Sequence, residues 1–144
     1  MKSLTIFIFI ILASTPLYSQ QFTENELYGS WIVLDSRLTP EMTLDLDDET
    51  QEKMEEMRKG FVGTIFNFKR NKEFTIKFTE NIPEFMKELE FLNENKWKIG
   101  DGTEIAIGNE EDNFSLMRLI VIILEGKGYF IIKDVPITLE VIKQ

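Results

Sequence analysis

The chain has 144 residues, of which 43% are hydrophobic and 28% are charged, and it contains no His and no Cys. This composition is typical of one globular domain with an ordinary core, and it excludes a disulfide-stapled or disordered chain. Without His and Cys, only carboxylate, Lys, Tyr or Ser/Thr chemistry remains for catalysis, and haem, iron–sulfur and ordinary structural zinc sites are excluded. A net charge of −9 repels phosphate backbones, and no basic patch offsets it, so we expect no nucleic-acid partner.

The first residues have the pattern of a secretory signal peptide. Lys2 supplies an early positive charge, residues 4–13 form an apolar run, and residues 14–19 are mostly small or polar. A membrane anchor is the alternative, but the run is about half of the ~20 apolar residues that a spanning helix needs. We therefore predict a signal peptide over residues 1–19 and one exported domain over residues 20–144, periplasmic or secreted, without a membrane span after cleavage.

Downstream, β-branched and aromatic residues recur in short runs separated by turn signals, as in antiparallel strands. In the clearest run, Phe74, Ile76 and Phe78 alternate with polar residues, so one face of this strand is predicted to be buried. The predicted strands are residues 31–35, 61–68, 73–78, 96–99, 103–107, 113–125, 129–134 and 137–143.

Strands joined in sequence by hairpin-like turns can close into a barrel, which removes their exposed edges. We therefore predict an all-β fold: an up-and-down antiparallel barrel of about eight strands with one or two short helices in connections. The alternative is an open sandwich, but no long crossover connection of the kind found in Greek keys is visible after Phe61.

Two connections have helical features. The first runs from acids at residues 47–49 to bases at residues 58–59 and a stop at Gly60, and the second begins at Pro83 and carries apolar residues on one face. Their Met- and Phe-rich stripes are typical either of plain core or of a lid that repacks around a ligand. The lid candidates are Met54, Met57, Phe85, Met86 and Leu89.

Gly29-Ser30-Trp31 at the first strand, a central Phe-rich hairpin, and Trp97-Lys98-Ile99 before a Gly-Asp-Gly turn together resemble the lipocalin-like domains of small exported bacterial proteins. The resemblance covers most of residues 27–142. It implies that Trp31 packs across the closed end of a barrel against an Arg of the final strand, but the final strand here has no Arg. Arg118, in an earlier strand, needs an aromatic face such as that of Trp31, a carboxylate, or solvent around its head.

The resemblance also implies a non-enzymatic protein that binds a small apolar ligand inside the barrel, and no catalytic residue, cofactor or metal site is predicted. The same apolar side chains can instead fill the barrel, which would leave a solid-core interaction or structural module with an acidic surface at residues 45–56. A carboxylate-based hydrolase is the third alternative. The predicted pocket residues are Trp31, Val62, Thr64, Phe66, Phe68, Phe74, Ile76, Phe78, Trp97 and Ile99.

Overall fold

A computed structural model describes residues 22–144 as eight strands and five short helical segments. The predicted signal peptide lies outside the described residues. The strands are β1 (Gly29–Leu38), β2 (Ile65–Phe68), β3 (Glu73–Lys77), β4 (Asn95–Ile99), β5 (Glu104–Gly108), β6 (Met117–Leu124), β7 (Lys127–Ile132) and β8 (Ile137–Lys143). The helices are α1 (Glu24–Leu27), α2 (Pro40–Thr43), α3 (Asp48–Phe61) and α4 (Glu84–Lys87), and a 3₁₀ segment (Glu88–Leu92) follows α4 directly.

The strands form a closed barrel in which each pairs antiparallel with its sequence neighbours and β1 pairs with β8. Closure in this order is the up-and-down topology, so the predicted fold is confirmed and the open sandwich is wrong. Inward positions alternate with outward ones along the strands, as in β3, where Phe74 and Ile76 are buried and Glu73 and Lys77 are exposed. A bulge at Leu34 interrupts the pairing of β1 with β8.

The barrel has two different ends. At one end, which we call the α1 end, helix α1 precedes β1, and the β2–β3, β4–β5 and β6–β7 turns lie at the same end. At the other, the capped end, α3 and the segment formed by α4 and the 3₁₀ turn lie in the connections between strands. Helix α3 is tied to β1 because Ser36 Oγ donates to the carbonyl of Arg58 and Arg58 Nη1 donates to the carbonyl of Ser36.

The seam between β3 and β4 is the shortest pairing in the barrel. Only two positions are in register, Glu73 with Lys96 and Phe74 with Asn95, whereas every other strand pair matches at four or more. Beyond these positions, the Ile76 amide donates to Asn93 Oδ1 at 2.7 Å instead of to a strand carbonyl. The capped half of this seam is therefore closed by side chains and by the 3₁₀ segment rather than by a β-ladder.

The structure corrects the start of two predicted strands. Residues 113–116, predicted to begin the strand at residues 113–125, lie in the connection before β6 begins at Met117, and Asn113 and Phe114 adopt positive φ angles of 56° and 53° there. Residues 61–63 do not belong to the strand predicted at residues 61–68, because α3 continues through Gly60 to Phe61 and a turn follows before β2 begins at Ile65. Gly63 adopts a positive φ of 87° in this turn, a conformation that glycine reaches without steric cost. The second predicted helix is confirmed in outline, with Pro83 at its start, but it changes to 3₁₀ geometry after Lys87.

Candidate functional site

The barrel interior holds most of the predicted pocket residues. Val62 is the exception: it lies in the turn after α3, where its side chain is 40% exposed. Phe78 and Ile99 are partly buried against the core. The other seven are buried: Trp31, Thr64, Phe66, Phe68, Phe74, Ile76 and Trp97.

The middle of the barrel is occupied by aromatic rings in mutual contact. The ring of Phe68 lies 5.3 Å from that of Phe74 and 5.7 Å from that of Trp97, measured between centroids, and Phe130 lies 5.6 Å from Phe66. All of these rings are essentially inaccessible to solvent. An eight-stranded barrel has an interior just wide enough for side chains, so this cluster fills the space that an internal ligand would need.

Phe130 is a central member of this cluster that the sequence interpretation missed. It contacts Trp31, Phe66 and Phe68. Its position in β7, between the buried residues Gly128 and Ile132, follows the same period-two pattern that identified β3. The signal was therefore present in the sequence.

Trp31 closes the core at the α1 end. Its side chain is fully buried, and its indole Nε1 donates to the carbonyl of Leu27 at 2.8 Å. The cation over its ring is Lys143 of β8, whose Nζ lies 5.6 Å from the ring centroid and donates to the Glu26 carbonyl at 3.1 Å. The final strand thus supplies a Lys, which the sequence interpretation did not consider.

Arg118 is not the cation that lies over the Trp31 ring. It is exposed and lies 3.1 Å from Glu104 Oε1 on the outside of the barrel. The predictions that Arg118 has a carboxylate partner and a solvent-exposed guanidinium group are therefore confirmed, and the prediction that it packs on an aromatic ring is wrong.

The lid candidates cluster at the capped end, with one exception. Met86 is fully buried, and Met57, Phe85 and Leu89 are partly buried against the core. Met54 is partly exposed on α3 and is not among the side chains that pack there.

The contact between α3 and α4 is tight. A Cβ on Gly60 would clash with Met86 Sδ and would lie 3.1 Å from Pro83 Cδ. Gly60 therefore lies inside α3, where its lack of a side chain leaves room for Met86, and the prediction that it ends the helix is wrong.

Phe61, the last residue of α3, connects this cap to the barrel interior. Its ring lies 6.5 Å from that of Phe66 and 6.1 Å from that of Phe78. Met54, Met57 and Phe61 are three and then four residues apart, a spacing that puts all three on one face of a helix. The sequence therefore contained a signal that Phe61 belongs to the apolar stripe of α3.

Thr64 carries the one buried side-chain polar atom that has no hydrogen-bond partner among residues 22–144. The residue is fully buried, and it precedes Phe66 and Phe68 on the inward alternation, so its hydroxyl faces the core at the capped end. Leaving a buried hydroxyl without a partner costs about 1–3 kcal/mol. A polar atom of a ligand placed there would remove that cost.

Two polar clefts lie on the outside of the barrel, and both include Glu94. One, of about 610 Å³, is lined by Lys69, Glu73, Phe74, Thr75, Asn93 and Glu94 along the β3–β4 seam. The other, of about 430 Å³, is lined by Glu94, Asn95, Lys96, Asn109, Glu110, Glu111 and Phe114. Within residues 22–144, no three acidic side chains are grouped so that they could hold a metal ion.

The acidic segment at residues 45–56 begins helix α3. Asp47 is its N-cap, and Asp47 Oδ1 accepts from the Thr50 amide at 2.7 Å. The hydrogen bonds from Thr50 lower the pKa of the Asp47 carboxyl. No helix of the described residues is both long enough and apolar enough to cross a membrane.

Comparison of this chain with models of protein families, with curated proteins and with solved structures finds no significant match.

Proposed function

We propose that the protein is an exported, non-enzymatic binding protein that takes up a small, neutral, mainly apolar ligand at the capped end of its barrel. The observation that carries the proposal is the hydroxyl of Thr64 at that end, which is fully buried and has no hydrogen-bond partner among the described residues. Pockets for small molecules combine apolar walls with a few polar groups that orient the ligand. The resemblance to lipocalin-like domains supports the same class of function, and the pattern of residues 1–19 supports export.

The capped end is the part of the barrel that can open at the lowest cost. There, Met86 and the 3₁₀ segment cover the interior, and the β3–β4 seam lacks ladder hydrogen bonds beyond Phe74. Moving this segment would break side-chain contacts but few strand pairings. Met side chains are flexible and polarisable, so they can repack around a guest molecule.

The ligand is expected to be neutral because the buried polar side chains of residues 22–144, Ser36 and Thr64, are hydroxyls, and none of the buried side chains in that range is a cation. Arg58, a basic residue of α3 that contacts β1, donates hydrogen bonds to Glu55 and to the carbonyl of Ser36. A buried carboxylate without a cation would be costly to bind. A long-chain alcohol, a ketone or an ester fits this chemistry better than a fatty acid.

The test is a titration with Nile red, a neutral apolar dye with a carbonyl group, followed by displacement with 1-dodecanol. Wild-type protein is expected to bind the dye, and Thr64→Val is expected to weaken binding by about 5-fold, equivalent to one hydrogen bond of about 1 kcal/mol. Thr138→Val is the matched control, because Thr138 is an outward, partly buried position of β8. Native mass spectrometry of protein purified from its source would detect a co-purifying ligand.

A second candidate function is favoured by the filled interior. The aromatic cluster around Phe68 can make the barrel a solid core, and the protein would then act through its surface. The acidic segment at residues 45–56 lies beside Met42 and Leu44, which are 47% and 77% exposed. No dye uptake by wild type and no co-purifying ligand would favour this interaction module over the ligand carrier.

A further inference from the structure

The two polar clefts on the outside of the barrel meet at Glu94, which lines both of them. We define the Glu94 groove as these clefts together: the seam cleft of about 610 Å³ beside β3, and the loop cleft of about 430 Å³ beside the β5–β6 connection. Both volumes are typical of small-molecule sites. Thr64 lines neither cleft, so the groove is a site separate from the one at the capped end of the barrel interior.

Three asparagine side chains line the groove, and each is held at one end by a hydrogen bond to the backbone. Asn93 Oδ1 accepts from the Ile76 amide at 2.7 Å, and Asn109 Oδ1 accepts from the Asp112 amide at 3.1 Å. Asn95 Nδ2 donates to a backbone carbonyl at 2.8 Å. These bonds fix the three amide groups before a ligand arrives, so binding does not have to order them.

The opposite end of each amide has no hydrogen-bond partner among residues 22–144. Asn93 and Asn109 each offer an NH2 group that can donate, and Asn95 offers a carbonyl oxygen that can accept. A ligand that satisfies all three must both accept and donate hydrogen bonds along the groove. Hydroxyl groups do both, so a molecule with several hydroxyl groups matches this set of side chains.

The charges of the groove oppose an anionic ligand. The carboxylates of Glu94, Glu110 and Glu111 line the loop cleft, which contains one cation, Lys96. A phosphate, sulfate or carboxylate group would be repelled by this excess of negative charge. The carboxylates do not form a metal site either, since no three acidic groups in the described part of the chain could hold an ion. A neutral ligand with many hydroxyl groups therefore fits best.

Phe114 adds an apolar surface to the loop cleft. Its backbone has a φ of 53°, a conformation that bulky residues rarely adopt, and it follows Asn113 with a φ of 56°. Backbone of this kind is concentrated at binding sites, where it positions a side chain. Lys98 Nζ lies 4.4 Å from the ring centroid and steadies the ring by a cation–π contact. A flat ring beside polar groups suits a sugar, which has C–H groups on its faces and hydroxyls on its rim.

From these observations we infer that the Glu94 groove binds a neutral oligosaccharide. The asparagine amides and the carboxylates hydrogen-bond to its hydroxyl groups, and Phe114 packs against one sugar ring. Because the two clefts adjoin at Glu94, a chain of linked sugars fits the groove better than a single sugar does. A basic peptide would be attracted to the same carboxylates, but its charged groups only donate hydrogen bonds and would leave the NH2 groups of Asn93 and Asn109 without an acceptor.

Binding to a printed array of neutral, sialylated and sulfated glycans tests the inference. The protein is biotinylated on an added C-terminal tag and presented on streptavidin, because several copies on one carrier make weak binding detectable. Wild type is expected to bind neutral glycans of linked sugars and not the sulfated ones. The neutral glycan that gives the strongest signal is then titrated into wild type and variants by isothermal titration calorimetry.

Two variants remove the unpartnered donors while keeping the backbone contacts. Asn109→Asp retains the oxygen that accepts from the Asp112 amide and replaces only the NH2 group, and Asn93→Asp makes the same change in the seam cleft. Each is expected to weaken binding by about 5-fold, the effect of one hydrogen bond, and the double variant by about 25-fold. Asn71→Asp is the matched control: Asn71 Oδ1 also accepts from a backbone amide, that of Glu73 at 3.1 Å, but Asn71 lines neither cleft.

Absence of binding to every neutral glycan on the array would overturn the inference. So would a glycan that Asn109→Asp and Asn93→Asp bind as tightly as wild type and Asn71→Asp do, with near-ultraviolet circular dichroism showing that each variant is folded. A wild type that binds fluorescein-labelled pentalysine and no neutral glycan would assign the groove to a basic peptide. Nile red binding is measured on Asn109→Asp in parallel and should be unchanged, so failure of this inference can be distinguished from failure of the ligand-binding proposal.

Discussion

Replacement of Trp31 by Ala should remove much of the stability of the barrel. The indole is fully buried, packs 5.7 Å from Phe130 between ring centroids, and donates to the Leu27 carbonyl. Truncation of a large buried aromatic side chain costs about 3–5 kcal/mol, and loss of the hydrogen bond adds about 1 kcal/mol. Because domains of this size are stable by roughly 5–15 kcal/mol, we expect a loss of about 4–6 kcal/mol to leave a marginal fold.

Urea denaturation followed by far-ultraviolet circular dichroism measures this loss. With a slope of about 2 kcal/mol per molar urea, the midpoint of Trp31→Ala should fall by about 2 M or more. Trp31→Phe keeps most of the ring volume but loses the indole N–H, so it should lose about 1–2 kcal/mol. Leu44→Ala is the control, because that side chain is 77% exposed and its truncation should stay within about 0.5 kcal/mol. An unchanged midpoint in Trp31→Ala would refute the closing role of this residue.

The capped end and the ion pairs give three more predictions, all measured by urea denaturation. Gly60→Ala should lower the free energy of unfolding by about 1–2 kcal/mol, because the clash with Met86 outweighs the gain in helix propensity of about 1 kcal/mol; a stabilised variant would contradict the packing at this contact. Thr64→Val should raise the free energy of unfolding by about 1 kcal/mol, since it removes an unpartnered buried hydroxyl, and a loss would show that the hydroxyl has a partner in solution. The hydrogen bond from Lys72 lowers the pKa of the Glu24 carboxyl, so this contact stabilises the fold at neutral pH and its contribution should decline as the pH falls below about 4.5. In Glu24→Gln the free energy of unfolding should fall less on acidification than in wild type, and an identical pH profile of the two proteins would contradict this prediction.

The barrel itself was predictable because its strands have a local signal. The alternation of Phe74 and Ile76 with polar residues requires only neighbours in sequence, and the boundaries of β8 were predicted at the residues where the structure has them. The predicted strand at residues 61–68 was wrong in its first part because the alternation continues by chance through Val62. The turn at Gly63 separates Val62 from β2, and a hydrophobicity pattern does not reveal the backbone conformation of this turn.

The candidate site was less predictable because it depends on contacts between distant segments. The sequence placed Thr64 on an inward position, but only the packed barrel shows that no partner reaches its hydroxyl. Similarly, Arg118 and Glu104 are 14 residues apart and meet through strand register. Whether the rings around Phe68 line a cavity or fill it depends on the width of the closed barrel, which no single strand determines.

The pairing of β1 with β8 has a consequence for how the chain becomes folded. Trp31 stands opposite Lys143, so the first and last strands complete each other's hydrogen bonds across almost the whole described chain. The ribosome delivers β1 before β8, and one edge of β1 stays unpaired until β8 has emerged. The barrel therefore closes only after β8 has been made, and a chain that stops before Ile137 would expose two open edges, one on β1 and one on β7, that favour aggregation.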